Sequence, residues 1–216
     1  MRARAEILQR IRAGLGKGDA AARRAATDAF MQSRARGPQP QPAGDFVARF
    51  SGKALALASS VEQVGSMAEV PAAVARYLAE HGLPREAVAT GDVADLDWAG
   101  GGIQTVARVA VDADKVGISG CFCAIAETGT LLLLSGPQTP ASVSLLPETH
   151  IAVVPVGRIV ATMEDAFALL RAEHRGLPRA VNFISGPSRT GDIEQTIVLG
   201  AHGPCRVHLI LVEGNS

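Results

Sequence analysis

The sequence predicts an α/β fold in which a mostly parallel sheet is flanked by helices. Short apolar runs with the length of buried strands alternate with segments of helical periodicity, and this alternation is typical of such sheets. Hydrophobic residues make up 47% of the chain but aromatic residues only 4%, so small aliphatic side chains supply most of the core, as buried parallel strands require. A chain of 216 residues is long enough for one domain with its own core.

The first 36 residues are predicted to form a helical appendage. Apolar residues recur at helical spacing over 2–15, and an Ala/Arg-rich stretch over 19–36 continues as a second helix. Residues 37–44 are rich in Pro and Gln and are predicted to be an extended linker, so we place the main domain at 45–216. Residues 1–50 hold ten Lys and Arg against four acidic residues. This basic segment is either a solvated helical face or a docking surface for an acidic partner.

Strands and helices are predicted to alternate within the main domain. Thr128-Gly129 is expected to join two of the strands as a tight hairpin or a sharp bend. Residues 92–105 are predicted to form a loop. The predicted strands are 54–59, 87–90, 116–119, 124–127, 130–134, 151–156, 181–184 and 207–212, and the predicted helices are 70–81 and 163–173.

The segment from Ser185 to Pro204 joins a loop rich in small, hydroxyl and charged residues to the pattern of a short helix. Thr190 or Gly191 is the predicted N-cap, with Asp192 and Glu194 in the first turn. Backbone amides at such a start, with Arg189 as a bidentate partner, can hold a phosphate or carboxylate. The alternative is a capped helix in which Arg189 pairs with one of the two carboxylates. The candidate ligand-binding residues here are Ser185, Gly186, Ser188, Arg189, Thr190, Asp192 and Glu194.

Three ordered motifs carry a family resemblance: Ala-Ile-Ala-Glu-Thr-Gly-Thr-Leu at 124–131, Ser-Leu-Leu-Pro-Glu-Thr-His-Ile at 144–151, and the Ser185–Pro204 segment. Together they cover about residues 116–212, and they resemble the lactate utilization protein C group of the LUD-domain family. The resemblance implies a fold similar to that of ribose-5-phosphate isomerase and the CoA transferases. It also implies a cytoplasmic subunit without a cofactor of its own. In that system, two partner subunits carry iron–sulfur clusters and the assembly oxidises L-lactate to pyruvate.

Glu127 is the predicted catalytic residue, although the sequence leaves open whether the chain is an enzyme or an accessory subunit. It ends an apolar run beside a glycine turn, so its carboxylate is expected to be partly desolvated and suited to acid/base or nucleophilic work. CoA transferases use a glutamate nucleophile, which is a fold-level analogy. The alternative is that Glu127 accepts hydrogen bonds from its neighbours. Further candidate ligand-binding residues at this turn are Thr128, Gly129 and Thr130.

A second hypothesis from a different class is a free-standing binding protein or transferase-like enzyme. Its ligand is a carboxylate, phosphate or CoA-type molecule held by Glu127 and Arg189. One departure from the resembled family bears on this site. Many members carry a basic pair before the Leu-Leu-Pro motif, where this chain has Pro140-Ala141-Ser142-Val143. Arg189 is therefore expected to be the main fixed cation.

His150 and His202 are the remaining candidate ligand-binding residues, because histidine titrates near neutral pH. No His or Cys spacing is that of a metal site, so no metal is expected. Cys121, Cys123 and Cys205 are too few for a four-thiolate cluster and suit a reducing cytoplasm, and we interpret them as small buried residues. No run approaches the ~18 apolar residues of a membrane span. Basic residues are not interleaved with aromatic ones, so nucleic-acid binding is not expected.

Overall fold

A computed structural model describes residues 2–15, 19–38, 44–174, 176–191 and 198–214. The chain divides into two compact units, Met1–Gln41 and Pro42–Ser216. The first unit contains helix α1 (Arg2–Gly14) and helix α2 (Ala20–Ser33), so the two helices predicted near the N-terminus are confirmed. The apolar residues that gave α1 its helical pattern are exposed within this unit.

The second unit is built around a six-stranded sheet. Its strands are β1 (Ser60–Val64), β2 (Glu86–Ala89), β3 (Gln104–Ala107), β4 (Val116–Ser119), β7 (Thr149–Pro155) and β12 (Arg206–Val212). They are arranged in the order β1-β12-β7-β4-β2-β3, and each neighbouring pair is parallel. The predicted α/β architecture with a mostly parallel sheet is therefore confirmed.

A second sheet of four strands packs beside the first. It consists of β5 (Cys123–Ile125), β6 (Thr130–Leu134), β8 (Ile159–Val160) and β9 (Val181–Ile184), in the order β8-β5-β6-β9. The predicted hairpin is confirmed, because β5 and β6 are antiparallel. Strand β9 is antiparallel to β6. The loop after Ile184 therefore leaves the second sheet and not the carboxyl edge of the parallel sheet.

The described residues of this unit also form four α-helices: α3 (Phe46–Ala56), α4 (Val70–Glu80), α5 (Ser142–Leu145) and α6 (Met163–Glu173). Helix α4 covers one face of the parallel sheet, where Val74 and Leu78 pack with Ile118. Helix α3 and the second sheet cover the other face, where Phe50 packs with Leu209. Burial on both faces explains why these strands are apolar throughout. Within the described residues, no helix has the length and apolarity needed to cross a membrane.

The strand predicted at 54–59 is wrong. Helix α3 continues to Ala56, and the first strand begins at Ser60. The alternating Ala and Leu residues favoured a strand, but the carboxylate of Asp45 accepts hydrogen bonds from two backbone amides and starts a helix. Phe50 and Ala54, four residues apart, then form the buried face of that helix. The loop predicted at 92–105 is also too long, because its end belongs to the edge strand β3.

Candidate functional site

Glu127 lies in the turn of the β5–β6 hairpin. Its side chain is half-buried, and its backbone amide donates to the carbonyl of Ala161 at 3.0 Å. Gly129, in the same turn, has a φ of +68°, and a Cβ built on it would lie 2.6 Å from the backbone nitrogen of Ala54. The turn therefore lies directly against the backbone of α3, and this close approach requires glycine.

Three hydroxyl groups join this turn to the loop that follows β9. Thr128 is exposed and its Oγ1 donates to Thr130 Oγ1 at 2.8 Å. The Thr130 Oγ1 is in turn 2.8 Å from Ser185 Oγ. Thr130 is only 3% exposed, so its hydroxyl needs these partners. The structure thus brings together two of the three sequence motifs, through side chains that bond to each other.

The loop after β9 lies over the C-terminal end of α3. Gly186 has a φ of +81°, and a Cβ there would lie 2.3 Å from the carbonyl oxygen of Leu57. The exposed Arg189 donates from Nη2 to the same Leu57 oxygen at 3.1 Å. Leu57 is the residue that caps α3, and carbonyls at a helix C-terminus attract a cation. Arg189 therefore has a structural role at this helix end.

The helix predicted after Thr190 is wrong where the structure describes the segment. Strand β10 (Arg189–Thr190) pairs with β11 (Val198–Leu199) as an antiparallel hairpin, and Thr190 is half-buried in it. Two backbone bonds of 2.9 Å hold the half-buried Ser188, one from its amide to the carbonyl of Pro204 and one to its carbonyl from the amide of Gly200. A short apolar run fits a helix or a strand equally well, which explains the error. Asp192 and Glu194 lie outside the described residues.

The two candidate histidines occupy different environments. His150 is fully buried in β7, and its Nε2 is 2.8 Å from Ser119 Oγ in β4. Burial lowers the pKa of His150 to about 4, so the ring is neutral at pH 7. Its Nδ1 has no hydrogen-bond partner among the described residues. His202 is exposed in the bend after β11, where no described contact connects it to the other candidates.

The three cysteines are free thiols, of which Cys123 is buried and Cys121 and Cys205 are half-buried. The expectation of buried thiols thus holds fully for Cys123. Burial raises the pKa of Cys123 to about 11, and burial also raises that of Cys121. In the described part of the chain, no group of three or more His, Cys, Asp or Glu side chains is arranged to hold a metal ion.

A cavity of about 230 Å³ opens at the carboxyl ends of β2 and β4. It is the site that the sequence reasoning missed, although ligands gather at this edge of parallel sheets. The available signal was a pair of polar segments, Thr90-Gly91-Asp92 after β2 and Ser119-Gly120 at the end of β4. Its mainly apolar walls are formed by Thr90, Asp92, Ser119, Gly120, Cys121, Phe122, Leu133, Leu134, Thr139, Pro140, Ala141, Ser144, His174 and Asn182.

The mouth of this cavity holds the carboxylate of Asp92 in a fixed place. Thr90 donates its hydroxyl hydrogen to Asp92 Oδ1, and the amide of Gly120 donates to Thr90 Oγ1 at 3.4 Å. A Cβ built on Gly120 would lie 2.3 Å from Asp92 Oδ2. The carboxylate therefore lies against the backbone of the loop after β4, and a larger residue at Gly120 would displace it.

The cavity and the Glu127 turn lie at opposite ends of the β5–β6 hairpin. Cys121 and Phe122 precede β5, and Leu133 and Leu134 end β6, so these cavity residues are at the open end of the hairpin. Glu127 lies in the turn that closes the other end. The predicted site around Glu127 and Arg189 and the observed cavity are therefore separate places in the fold.

The model of the LUD domain family matches residues 44–212. The chain belongs to the LUD-domain family. The resemblance drawn from the three sequence motifs is therefore confirmed. A crystal structure of a DUF162 family protein from Deinococcus radiodurans has a similar fold, with a TM-score of 0.60 and 27% identity over 79% of this chain and 99% of that chain.

Several relatives bear the name lactate utilization protein C. The Exiguobacterium sp. protein is 38% identical over 142 residues, which are 64% of this chain and 61% of the relative. The Bacillus subtilis protein is 43% identical over 101 residues, 45% of this chain and 42% of the relative, and the Bacillus licheniformis protein is 39% identical over 102 residues, 46% and 42% of the two chains. The chain thus spans about half the length of the curated relatives it matches.

Proposed function

We propose that this chain is the cluster-free subunit of a system that oxidises L-lactate to pyruvate. The observation that carries the proposal is its similarity, at 35% to 44% identity over the matched segments, to relatives named lactate utilization protein C. Membership of the LUD-domain family over 44–212 supports the same role. In this proposal the chain is an accessory subunit whose own chemical contribution, including that of Glu127, stays a prediction.

The electron pair released by lactate passes, in this proposal, to iron–sulfur clusters in two partner subunits. Two features of this chain support its place as the subunit without a cluster. It has three cysteines, one fewer than a four-thiolate cluster needs. Burial raises the pKa of Cys121 and Cys123, so neither is readily available as a thiolate. The free thiols also support a reducing compartment such as the cytoplasm.

The first unit of the chain is the proposed contact with the partner subunits. Helix α1 carries four arginines, and its apolar residues Ile7 and Ile11 are more than half exposed. An exposed face that combines apolar and basic groups suits an acidic protein surface. Deletion of residues 1–36 should reduce co-purification of the partner subunits with this chain. Unchanged co-purification would contradict this part of the proposal.

Growth of the host on L-lactate tests the role in lactate oxidation. Deletion of the gene should abolish growth on L-lactate as sole carbon source and leave growth on pyruvate unchanged, because pyruvate enters metabolism after the proposed step. A plasmid copy of the full chain should restore growth on L-lactate. Unchanged growth and unchanged lactate-dependent dye reduction in extracts of the deletion strain would contradict the proposal.

Small-molecule binding is the second candidate function, and the cavity at the carboxyl ends of β2 and β4 is the observation that favours it. This candidate differs from the free-standing enzyme inferred from sequence in the residues that it uses. Arg189 is bonded to the end of α3, and the Glu127 turn lies at the far end of the hairpin from the cavity. Binding to Glu127 and Arg189 together stays a prediction, and it concerns a different place in the fold from the cavity.

A further inference from the structure

We propose that the cavity at the carboxyl ends of β2 and β4 binds a small neutral or cationic molecule with an apolar body, and that Asp92 disfavours anions there. The inference does not depend on the proposed role in lactate oxidation. It also separates the cavity from lactate and pyruvate, which are anions at neutral pH. The ligand class follows from the size of the cavity, from its hydrogen-bonding groups and from its charge.

The size and walls of the cavity suit a ring with one polar substituent. Its volume is about 230 Å³, and an engineered apolar cavity of roughly 150 Å³ is large enough to bind benzene. Phe122, Leu133, Leu134 and Pro140 supply apolar walls. Mainly apolar walls with a few convergent polar groups are the usual composition of a small-molecule site.

Ser119 supplies a hydroxyl that is already fixed in direction. It is 1% exposed, lines the cavity, and lies 2.8 Å from Nε2 of the buried His150. A hydroxyl has one hydrogen and two lone pairs, while the neutral ring offers either a donor or an acceptor at Nε2. Whichever of the two atoms donates, Ser119 keeps hydrogen-bonding capacity for a ligand.

Asn182 supplies a donor in need of a partner. Its side-chain nitrogen is buried and has no hydrogen-bond partner within the described part of the chain, and the residue lines the cavity. Leaving a buried donor unpaired is costly. An acceptor group on a neutral ligand, such as a hydroxyl or carbonyl oxygen, would satisfy the amide, and beside an ammonium ligand a bound water molecule would supply the acceptor.

Among the described residues that line the cavity, the charge is negative. Asp92 presents its carboxylate at the mouth, held by Thr90, and no lysine or arginine is found among the described lining residues. The guanidinium of Arg158 lies 4.8 Å from the Phe122 ring centroid. It is paired with Glu173 through bonds of 2.7 and 2.9 Å, so that carboxylate offsets its charge.

Three probes with one ring and different head groups test the ligand class: benzylamine, benzyl alcohol and benzoate. Dissociation constants are measured on the full chain by ligand-observed NMR at pH 7.5. Asp92→Asn removes the charge but keeps an acceptor for Thr90, and Asp95→Asn is the matched control, because Asp95 is exposed and does not line the cavity. Ala141→Leu fills the cavity from its wall, and Ala113→Leu makes the same change at an exposed position elsewhere.

We expect benzylamine and benzyl alcohol to bind and benzoate to bind more weakly than both. Asp92→Asn should weaken benzylamine by about 2- to 5-fold, the size expected for a partly exposed charge pair, and leave benzyl alcohol unchanged. Ala141→Leu should abolish binding of all probes, and the two control variants should bind like the native chain. Benzoate that binds as tightly as benzylamine, benzylamine binding that is unaffected by Asp92→Asn, or probe binding that survives Ala141→Leu would each overturn the proposal. The absence of binding by any probe at millimolar concentration would also overturn it.

Discussion

Gly129 and Gly186 are two motif residues whose identity is explained by close packing against the backbone. Both have a positive φ, +68° and +81°, and a Cβ on either would collide with backbone atoms at the end of α3. Arg189 contacts the same helix end through Leu57. A loop rich in glycine, hydroxyl groups and arginine resembles an anion site in sequence. In this fold the same composition closes a helix terminus.

Gly129→Ala is expected to lower the free energy of unfolding by about 2 kcal/mol or more, since the left-handed conformation costs about 1–2 kcal/mol and the new methyl group meets backbone that cannot move easily. Gly82→Ala is the matched control, because Gly82 has a φ of +62° but nothing within 4 Å of its Cβ position. Gly82→Ala should lose only the part of the free energy of unfolding that the left-handed conformation costs. Urea denaturation measures both, and equal losses would contradict the close approach to α3.

His150 makes stability depend on pH. Burial lowers its pKa from 6.5 to about 4 in the folded chain, so the unfolded chain binds more protons between these values. The contribution of His150 to the free energy of unfolding is therefore fully present above pH 6.5. It falls by about 3 kcal/mol as the pH drops through 4. His208, whose pKa burial also lowers to about 4, acts in the same window.

Urea denaturation at pH 7 and pH 4.5 tests this dependence. In His150→Gln, the decrease in the free energy of unfolding from pH 7 to pH 4.5 should be about half of that in the native chain. His208 is expected to cause the remaining decrease. The exposed His202→Gln should leave the drop unchanged. A His150→Gln protein with the native pH dependence would show that the buried histidine does not stay neutral in the folded state.

At the scale of elements, the sequence predicted strands and helices well where periodicity was long and poorly where runs were short. Helix α6 has the bounds that its pattern predicted, Met163–Glu173, and the β5–β6 hairpin follows from its glycine turn. The run 54–59 and the segment around Leu199 were misassigned because a few apolar residues fit either element. The pairing of β9 with β6 depends on long-range contacts that the local pattern does not encode.

At the scale of elements, hydroxyl hydrogen bonds connect the β5–β6 hairpin to the loop after β9, and this connection can be tested. Thr130→Val keeps the shape of the side chain but removes the hydroxyl that bonds to Thr128 and Ser185. We expect a loss of about 1 kcal/mol of unfolding free energy, with faster hydrogen exchange at Ser188 and Gly200, whose amides hold the loop. Ser135→Ala serves as the control at the far end of β6. Equal hydrogen-exchange rates at Ser188 and Gly200 in the two variants would contradict the connection through Thr130.

At the scale of the whole molecule, the second unit carries the family's domain and its own core. The family match covers 44–212, and buried clusters occupy both faces of the parallel sheet within that range. The sequence predicted this architecture and the family. It did not predict the cavity, because the lining residues come from segments far apart in the chain, such as Asp92 and Asn182, and only the folded topology brings them together.

A chain of residues 42–216 is expected to fold without the first unit. Its thermal midpoint should lie within about 3 °C of the full chain, because the core clusters contain no residue of the removed segment. Differential scanning calorimetry measures the midpoint and the cooperativity. A broad or absent transition in the shortened chain would contradict the independence of the second unit.

The measurement that tests the account most directly is growth on L-lactate of a host strain that lacks this chain and carries either the full chain or residues 42–216 on a plasmid. With both proteins present at equal levels, the account predicts that the full chain restores growth on L-lactate and that residues 42–216, which lack the proposed partner contact in α1 and α2, restore it less. Growth on L-lactate that is the same without the chain as with the full chain would contradict the account.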